Sequence, residues 1–120
     1  MSGDIHSCIF CRIVRGEIPS RKVYEDEHIL AFHDINPASP VHFLMVPKRH
    51  LVNLLDADLS HQALLGHLFG SVGKLARQEG LGDGFRVIVN NGKSGGQEVY
   101  HLHVHVRGSP GGAVRETVAE

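Results

Sequence analysis

The segment His101-Leu102-His103-Val104-His105 alternates imidazole with aliphatic side chains, and this period of two constrains the chain more than any other feature. Strict alternation is the pattern of a β-strand, where residues two apart lie about 6.5 to 7 Å from each other on one side of the sheet. Three imidazoles therefore share one small patch, while Leu102, Val104 and Val106 turn to the opposite, core-facing side. Histidine, with an unperturbed pKa of about 6.5, acts near neutral pH as nucleophile, proton donor, acceptor or metal ligand. An ordinary exposed strand face has no reason to choose imidazole three times running. The patch is expected to carry chemistry.

The neighbouring pattern supplies a sheet for that strand. Gly84 to Asn90 is rich in β-branched and aromatic residues and is the natural partner of the histidine strand, through the glycine-rich loop 91–97. Val41 to Val46, between Pro40 and Pro47, is a third strand; Lys22 to Tyr24 and His28 to His33 read as a short hairpin around Asp26-Glu27. Ser60 to Glu79 is the one long helix, with Leu64, Leu65, Leu68, Phe69, Val72, Leu75 and Ala76 at helical spacing. Asp58 or Ser60 caps its start, and Gly80 with the Gly82-Asp83-Gly84 turn ends it. Gly66, Gly70 and Gly73 each weaken it by about 1 kcal/mol relative to alanine, which implies close packing against another element. Strands, helix, strands make an α+β domain with a mostly antiparallel sheet. Residues 1–108 are expected to form a single domain and 109–120 a loosely ordered C-terminal tail, because Gly108-Ser109-Pro110-Gly111-Gly112 ends any strand.

At 120 residues the chain is long enough for one ordinary core. A formal net charge of −1 leaves no broad electrostatic footprint for nucleic acid, and the basic clusters Arg12/Arg15, Arg21-Lys22 and Lys48-Arg49 read as solvated edges. The N-terminal stretch lacks the basic flank and apolar run of a secretory signal, and no apolar run approaches the roughly 18 residues of a membrane span. A cytoplasmic protein with no membrane partner is expected. Cys8 and Cys11 are too close in sequence to staple a fold usefully. Their two-residue spacing allows both thiolates to bind one tetrahedral zinc at about 2.3 Å, with His50 and His101 as candidates to complete the site; a redox pair or two ordinary thiols are the alternatives.

Two further motifs are testable on the sequence. The Gly92-Lys93-Ser94 run invites a phosphate-loop reading, but the template needs glycine where Val87 stands and a helix where a strand follows. What remains is a glycine-rich connection whose amides can approach a phosphate. A catalytic zinc held by three imidazoles is a rival account of the triad. Successive positions on one strand face spread the outer pair over about 13 Å, which is wide for metal–nitrogen bonds near 2 Å. The central histidine is better placed to act on substrate.

Taken together, Tyr100 to Gly108, with Ile9-Phe10-Cys11-Arg12-Ile13, Gly16-Glu17-Ile18-Pro19, Ala31-Phe32-His33-Asp34-Ile35, the run His42 to His50 and Gly95-Gly96-Gln97-Glu98-Val99, resemble the histidine triad (HIT) family of nucleotide hydrolases and transferases. The chain departs from the signature His-φ-His-φ-His-φ-φ only at Arg107, and it is most similar to the purine-nucleotide phosphoramidase branch. The resemblance implies a HIT-like fold: a mostly antiparallel five-stranded sheet, one long helix and a short N-terminal helix. It implies His103 as the nucleophile at phosphorus, His105 on the phosphoryl oxygens, and Asn90, the Gly96-Gln97 backbone and Glu98 completing the phosphate site. His42 and Tyr100 would support them. Phe10, Ile13, Ile18, Phe32 and Ile35 would wall the purine, and Asp34 would accept from the ribose hydroxyls.

By the same resemblance, Cys8, Cys11, His50 and His101 would hold a structural zinc, no organic cofactor is used, and the chain forms a homodimer. The implied activity is cleavage of the P–N bond of a purine nucleoside 5′-phosphoramidate, or of an aminoacyl-adenylate-like species, through a phosphohistidine. The alternatives are a dinucleoside-polyphosphate hydrolase and a nucleotide-binding module with vestigial catalysis. Glu98 stands where some phosphoramidases of the family have serine, and the sequence after Gly108 does not match the tryptophan-containing C-terminus of one branch.

Overall fold

A computed structural model describes residues 7–111 as five antiparallel strands with helices on both faces. The elements are α1 (Ile9–Val14), β1 (Lys22–Glu25), β2 (Ile29–His33), β3 (Val41–Pro47), α2 (Gln62–Gly70), α3 (Val72–Gln78), β4 (Arg86–Ile88) and β5 (Val104–Gly108), with 3₁₀ turns at Leu54–Asp56 and Leu59–His61. The strand order is β1-β2-β3-β5-β4, so the histidine-bearing strand lies between β3 and the edge strand β4. Among the described residues, no helix is long and apolar enough to cross a membrane. Beyond Gly111, the expected tail 109–120 lies outside the described residues.

The sheet is covered on both sides, and strand alternation sorts its residues between two clusters. Ile29, Ala31, Phe43, Met45, Val104 and Val106 pack with Leu68, Val72, Leu75 and Ala76 from α2 and α3. Leu30, Phe32, Leu44 and Val46 turn the other way, onto Cys8, Phe10 and Cys11. His42 shares the β3 face of Leu44 and Val46, and His103 and His105 alternate with core-facing Leu102, Val104 and Val106. The short N-terminal helix is thereby brought over the imidazoles.

Three expected boundaries shift, each for a local reason. The long helix is present but runs as two segments, because the Ser71 hydroxyl donates back to the His67 carbonyl (2.7 Å) and the Ser71 N–H is shared between His67 and Leu68. A serine bonding back four residues commonly bends a helix, and Gly70 beside it offers little resistance. Asp58, not Ser60, caps the preceding turn, in a reciprocal box with His61.

The strand bearing the triad starts at Val104 rather than His101. Since Met45 pairs with Val104, continuing the register would set Pro47 opposite Leu102, and proline has no N–H to give. The Leu102 N–H instead donates to the Leu51 carbonyl at 2.7 Å. His101 and His103 therefore precede the ladder, although side-chain alternation persists. With β5 shortened, β4 is paired only over Arg86–Ile88 instead of Gly84 to Asn90. Gly108 is needed where the strands converge: a Cβ there would lie 3.3 Å from both the Gly84 carbonyl oxygen and the Leu81 side chain.

Asp26 fixes the β1–β2 turn. Its carboxylate accepts from the His28 and Ile29 amides (2.9 and 3.0 Å), from the Tyr24 hydroxyl (2.8 Å) and from His67 Nε2 of α2 (2.6 Å). Burial opposes ionisation, but these donors outweigh it and hold the carboxyl well below its usual range. A depressed carboxylate stabilises above the unfolded value of about 3.9 and loses that contribution as pH falls through the folded value. Asp26→Ala is expected to cost about 2 kcal/mol in urea unfolding at pH 7. The deficit relative to wild type should shrink below about pH 4, and a pH-independent difference would refute this assignment.

Candidate active site and metal cluster

Beside the sheet, on the α1 side, lies a cavity of about 520 Å³. Phe10, Ile13 and Ile18 wall it together with Phe32 and Ile35, while Asn90, Gly96, Glu98, His103 and His105 line its other side. Asp34 also lines it, one residue past the end of β2. Its Oδ1 accepts from the Asn36 amide (2.8 Å), closing a turn, and its Oδ2 stands 3.6 Å from His42 Nε2.

Backbone partners assign the imidazole tautomers. A carbonyl can only accept, so His103 Nδ1 carries the proton it donates to the His101 carbonyl (2.7 Å). The neutral ring then keeps its lone pair on Nε2. Burial lowers the His103 pKa, against the opposing pull of the His101 carbonyl and of the Asp34 and Glu98 carboxylates. Phe10 packs edge-on to the ring, with centroids 5.0 Å apart.

An amide can only donate, so His42 Nδ1 accepts from Ala38 N–H (2.9 Å) and the neutral ring protonates Nε2. That proton is directed to His105 Nδ1 at 3.0 Å, leaving the His105 proton on Nε2. Burial, with His103 and His42 nearby, pushes the His105 pKa down to about 4. Adjacent rings thus differ in function: His103 offers a lone pair at Nε2, His105 an N–H.

His42 lies behind His105 rather than in the cavity wall, and Tyr100 is half-buried outside it. Gln97 requires a correction, since it does not line the cavity and its amide N–H is spent on the Gly92 carbonyl (3.0 Å). The Gly95 and Gly96 amides close turns onto Gly92 and Lys93. The loop is a self-bonded turn rather than an open ring of phosphate-directed amides. Gln97 serves as its clasp: Oε1 accepts from Asn53 and the Gly92 amide, and Nε2 donates to the Val52 and Val99 carbonyls. Gly95 is required because a Cβ there would overlap the Asn91 carbonyl. Sequence reasoning missed the Asn53 contact and the walls formed by Leu44, Ser20, Arg21 and Val99. Leu44 was accessible in principle, since it shares a β3 face with His42.

Behind the cavity, Cys8, Cys11, His50 and His101 bring their donor atoms within 4.8 Å of one another. His50 Nδ1 lies 3.1 Å from Cys11 Sγ and 3.2 Å from His101 Nδ1, which is 3.3 Å from Cys8 Sγ and 3.5 Å from Cys11 Sγ. A tetrahedron with bonds of 2.0 to 2.3 Å has edges of about 3.3 to 3.8 Å, so this donor set fits a zinc-sized ion. His101 donates from Nε2 to the Pro47 carbonyl (2.8 Å), so its Nδ1 lone pair faces inward. Burial lowers its pKa to about 4. Burial, followed by the neighbouring Cys8, pushes the Cys11 thiol up to about 12. A bound dication would remove that proton. The second cluster, Asp34, His42 and His105, also gathers three donors, but the Ala38 contact puts a proton on the His42 nitrogen that faces it.

Comparison with known proteins agrees with this geometry. The HIT domain family model matches residues 15–110. Protein HitA of Neisseria gonorrhoeae is 50% identical over 104 residues, covering 87% of this chain and 97% of that protein. A 14 kDa zinc-binding protein of Zea mays is 51% identical over 107 residues, covering 88% of this chain and 84% of that protein. The crystal structure of a HIT family hydrolase from Legionella pneumophila Philadelphia 1 superposes with a TM-score of 0.83 at 45% identity, over 85% of this chain and 92% of that one.

The two clusters predict different metal behaviour. Protein prepared with zinc should hold about one ion per chain, Cys11→Ala should abolish this, and Asp34→Ala should retain it. Elemental analysis after gel filtration reads the outcome; undiminished metal in the Cys11 variant would contradict the assignment.

Proposed function

This chain belongs to the HIT domain family, and from that premise we propose that it is a nucleotide hydrolase that splits the P–N bond of purine nucleoside 5′-phosphoramidates or aminoacyl-adenylate-like compounds. The observation carrying this reading is the His103 tautomer: Nδ1 is committed to the His101 carbonyl, so the lone pair sits on Nε2 of a cavity-lining ring. The hydrolase name of the Legionella structure supports the reaction class.

In this reading the purine lies among Phe10, Ile13, Ile18, Phe32 and Ile35, and Asp34 accepts from the ribose hydroxyls. His103 Nε2 attacks phosphorus, the P–N bond breaks with its electron pair going to nitrogen, and that nitrogen takes a proton from solvent water, which the proton released in the later attack of water on the intermediate makes good. His105 donates from Nε2 to a phosphoryl oxygen, where charge accumulates, and Asn90 stands with it at the phosphate end. Water then cleaves the nucleotidyl-histidine, releasing the monophosphate and restoring the neutral ring. Two displacements replace one difficult one.

Zinc in the Cys8, Cys11, His50 and His101 cluster would be structural, with four protein ligands and no open position, tying α1 to the segment that carries His103. The zinc-binding name of the Zea mays relative supports that choice. A homodimer is part of the same proposal. Its support is β4, an edge strand that exposes Val87 beside Phe85, leaving backbone groups for a second copy.

His103→Gly, with its fold verified by circular dichroism, should lower kcat/KM for an adenosine phosphoramidate by about a thousandfold or more. Rapid quenching of wild type should trap an acid-labile nucleotidyl adduct on His103. Wild-type-like turnover by the variant would overturn the mechanism. Consumption of only diadenosine polyphosphate in a competition would assign the same nucleophile to P–O–P cleavage instead.

A further inference from the structure

Arg107 stands where the histidine triad signature has an apolar residue, and the reaction described above makes no use of it. In the antiparallel ladder it lies opposite His42 of β3 on one side and opposite Arg86 of β4 on the other. Directly opposed residues share a face of the sheet, with Cβ atoms about 4.5 to 5.5 Å apart. Arg107 is therefore on the cavity face, beside His42 and two residues beyond His105. It is half-buried, lies outside the cavity lining and, like exposed Arg86, forms no ion pair among the described residues. Like charges set directly opposite each other destabilise a sheet. A cation held there at that cost acts on a neighbour.

That neighbour is the His42 imidazole, which is subject to opposite charges. The Asp34 carboxylate, past the end of β2, stands with Oδ2 3.6 Å from His42 Nε2, and Arg107 faces the ring from β5, with Arg86 one strand farther on. The Ala38 N–H donates to His42 Nδ1 (2.9 Å), and His42 Nε2 meets His105 Nδ1 at 3.0 Å. A second proton on His42 would go to Nδ1 and set two donors against each other at Ala38. The resulting cation would also draw Asp34 to itself and away from a ribose. Burial lowers the His42 pKa most, Asp34 pulls it back up, and Arg107 adds to the lowering. At His105 burial again comes first, followed by His103 and His42, with Asp34 opposing and Arg107 adding to the lowering.

Resting on the phosphoramidase reading, we propose that Arg107 is a positioning residue whose guanidinium offsets the Asp34 carboxylate at His42, so that the hydrogen-bond chain from Ala38 through His42 to His105 keeps one orientation. Arg107 lies outside the cavity lining and acts only through His42. Two things are secured by it: the His105 Nε2 proton stays directed at the phosphoryl oxygen, and Asp34 stays available to the ribose. An uncharged residue at position 107 would leave Asp34 unopposed, and His42 would take up its second proton at a higher pH.

A nitrogen-15 NMR titration of the His42 ring in substrate-free protein, from about pH 4 to pH 8, tests this. Arg107→Leu and Arg107→Gln should each raise the His42 midpoint by about half a unit to one unit, as expected of a partly solvated charge nearby. Arg107→Lys should keep the wild-type midpoint, and adding Asp34→Asn to Arg107→Leu should cancel the rise. Salt should narrow the gap between wild type and the uncharged variants. With an adenosine phosphoramidate, the acid limb of kcat/KM in Arg107→Leu should move to higher pH by the same amount, chiefly through KM as Asp34 turns from the ribose to His42. An unchanged His42 midpoint in the uncharged variants, or a lysine variant that titrates as they do, would overturn the role of Arg107. Because the titration needs no substrate, that result leaves the phosphoramidase reading intact. Failure of wild type to hydrolyse the phosphoramidate would instead overturn that reading, whatever the midpoints.

Discussion

The main-chain carbonyl of His101 is the constraint on which the site depends. It accepts a 2.7 Å hydrogen bond from His103 Nδ1, and that bond determines which nitrogen of the second ring holds a lone pair. The same residue's ring faces the other way, with Nε2 on the Pro47 carbonyl and Nδ1 in the cysteine–histidine cluster. Side chain and main chain of one residue thereby couple a metal-binding geometry to the orientation of its neighbour two positions on. This requires a carbonyl free of the β-ladder, and the early loss of pairing before Val104 provides it.

Burial and backbone partners then divide labour among chemically identical side chains. Desolvation disfavours the charged form of every ring in the group, so four imidazoles crowd together without mutual repulsion. What distinguishes them is the atom each meets first. A carbonyl makes His103 a donor at Nδ1, and an amide makes His42 an acceptor at Nδ1, a choice passed to His105 across 3.0 Å. Phe10 contributes from α1 to both sides: it touches the His101 and His103 rings while walling the cavity.

Much of this was legible in the sequence, because period-two alternation survives local departures from ideal pairing. His101, His103 and His105 share a side, as the pattern requires, even though the first two precede the ladder. The five strands and their antiparallel pairing followed from β-branched runs and turn residues, and the family resemblance added the apolar walls and the four-residue cluster. Events decided by a single side chain bonding to distant backbone were not legible. Ser71 breaks a helix by bonding to a carbonyl four residues back, Pro47 ends a ladder from the opposite strand, and Gln97 closes a loop from within. In the sequence each resembles an ordinary polar or strand-end residue; only the fold supplies the partner.

Nitrogen-15 NMR of the imidazoles at neutral pH tests the central claim most directly, since it reads the protonation of each ring nitrogen in the folded protein. The account predicts a proton-bearing, pyrrole-type Nδ1 and a bare, pyridine-type Nε2 for His103, with Nε2 protonated in His105. A His103 ring bare at Nδ1, or protonated on both nitrogens at pH 7, would contradict it.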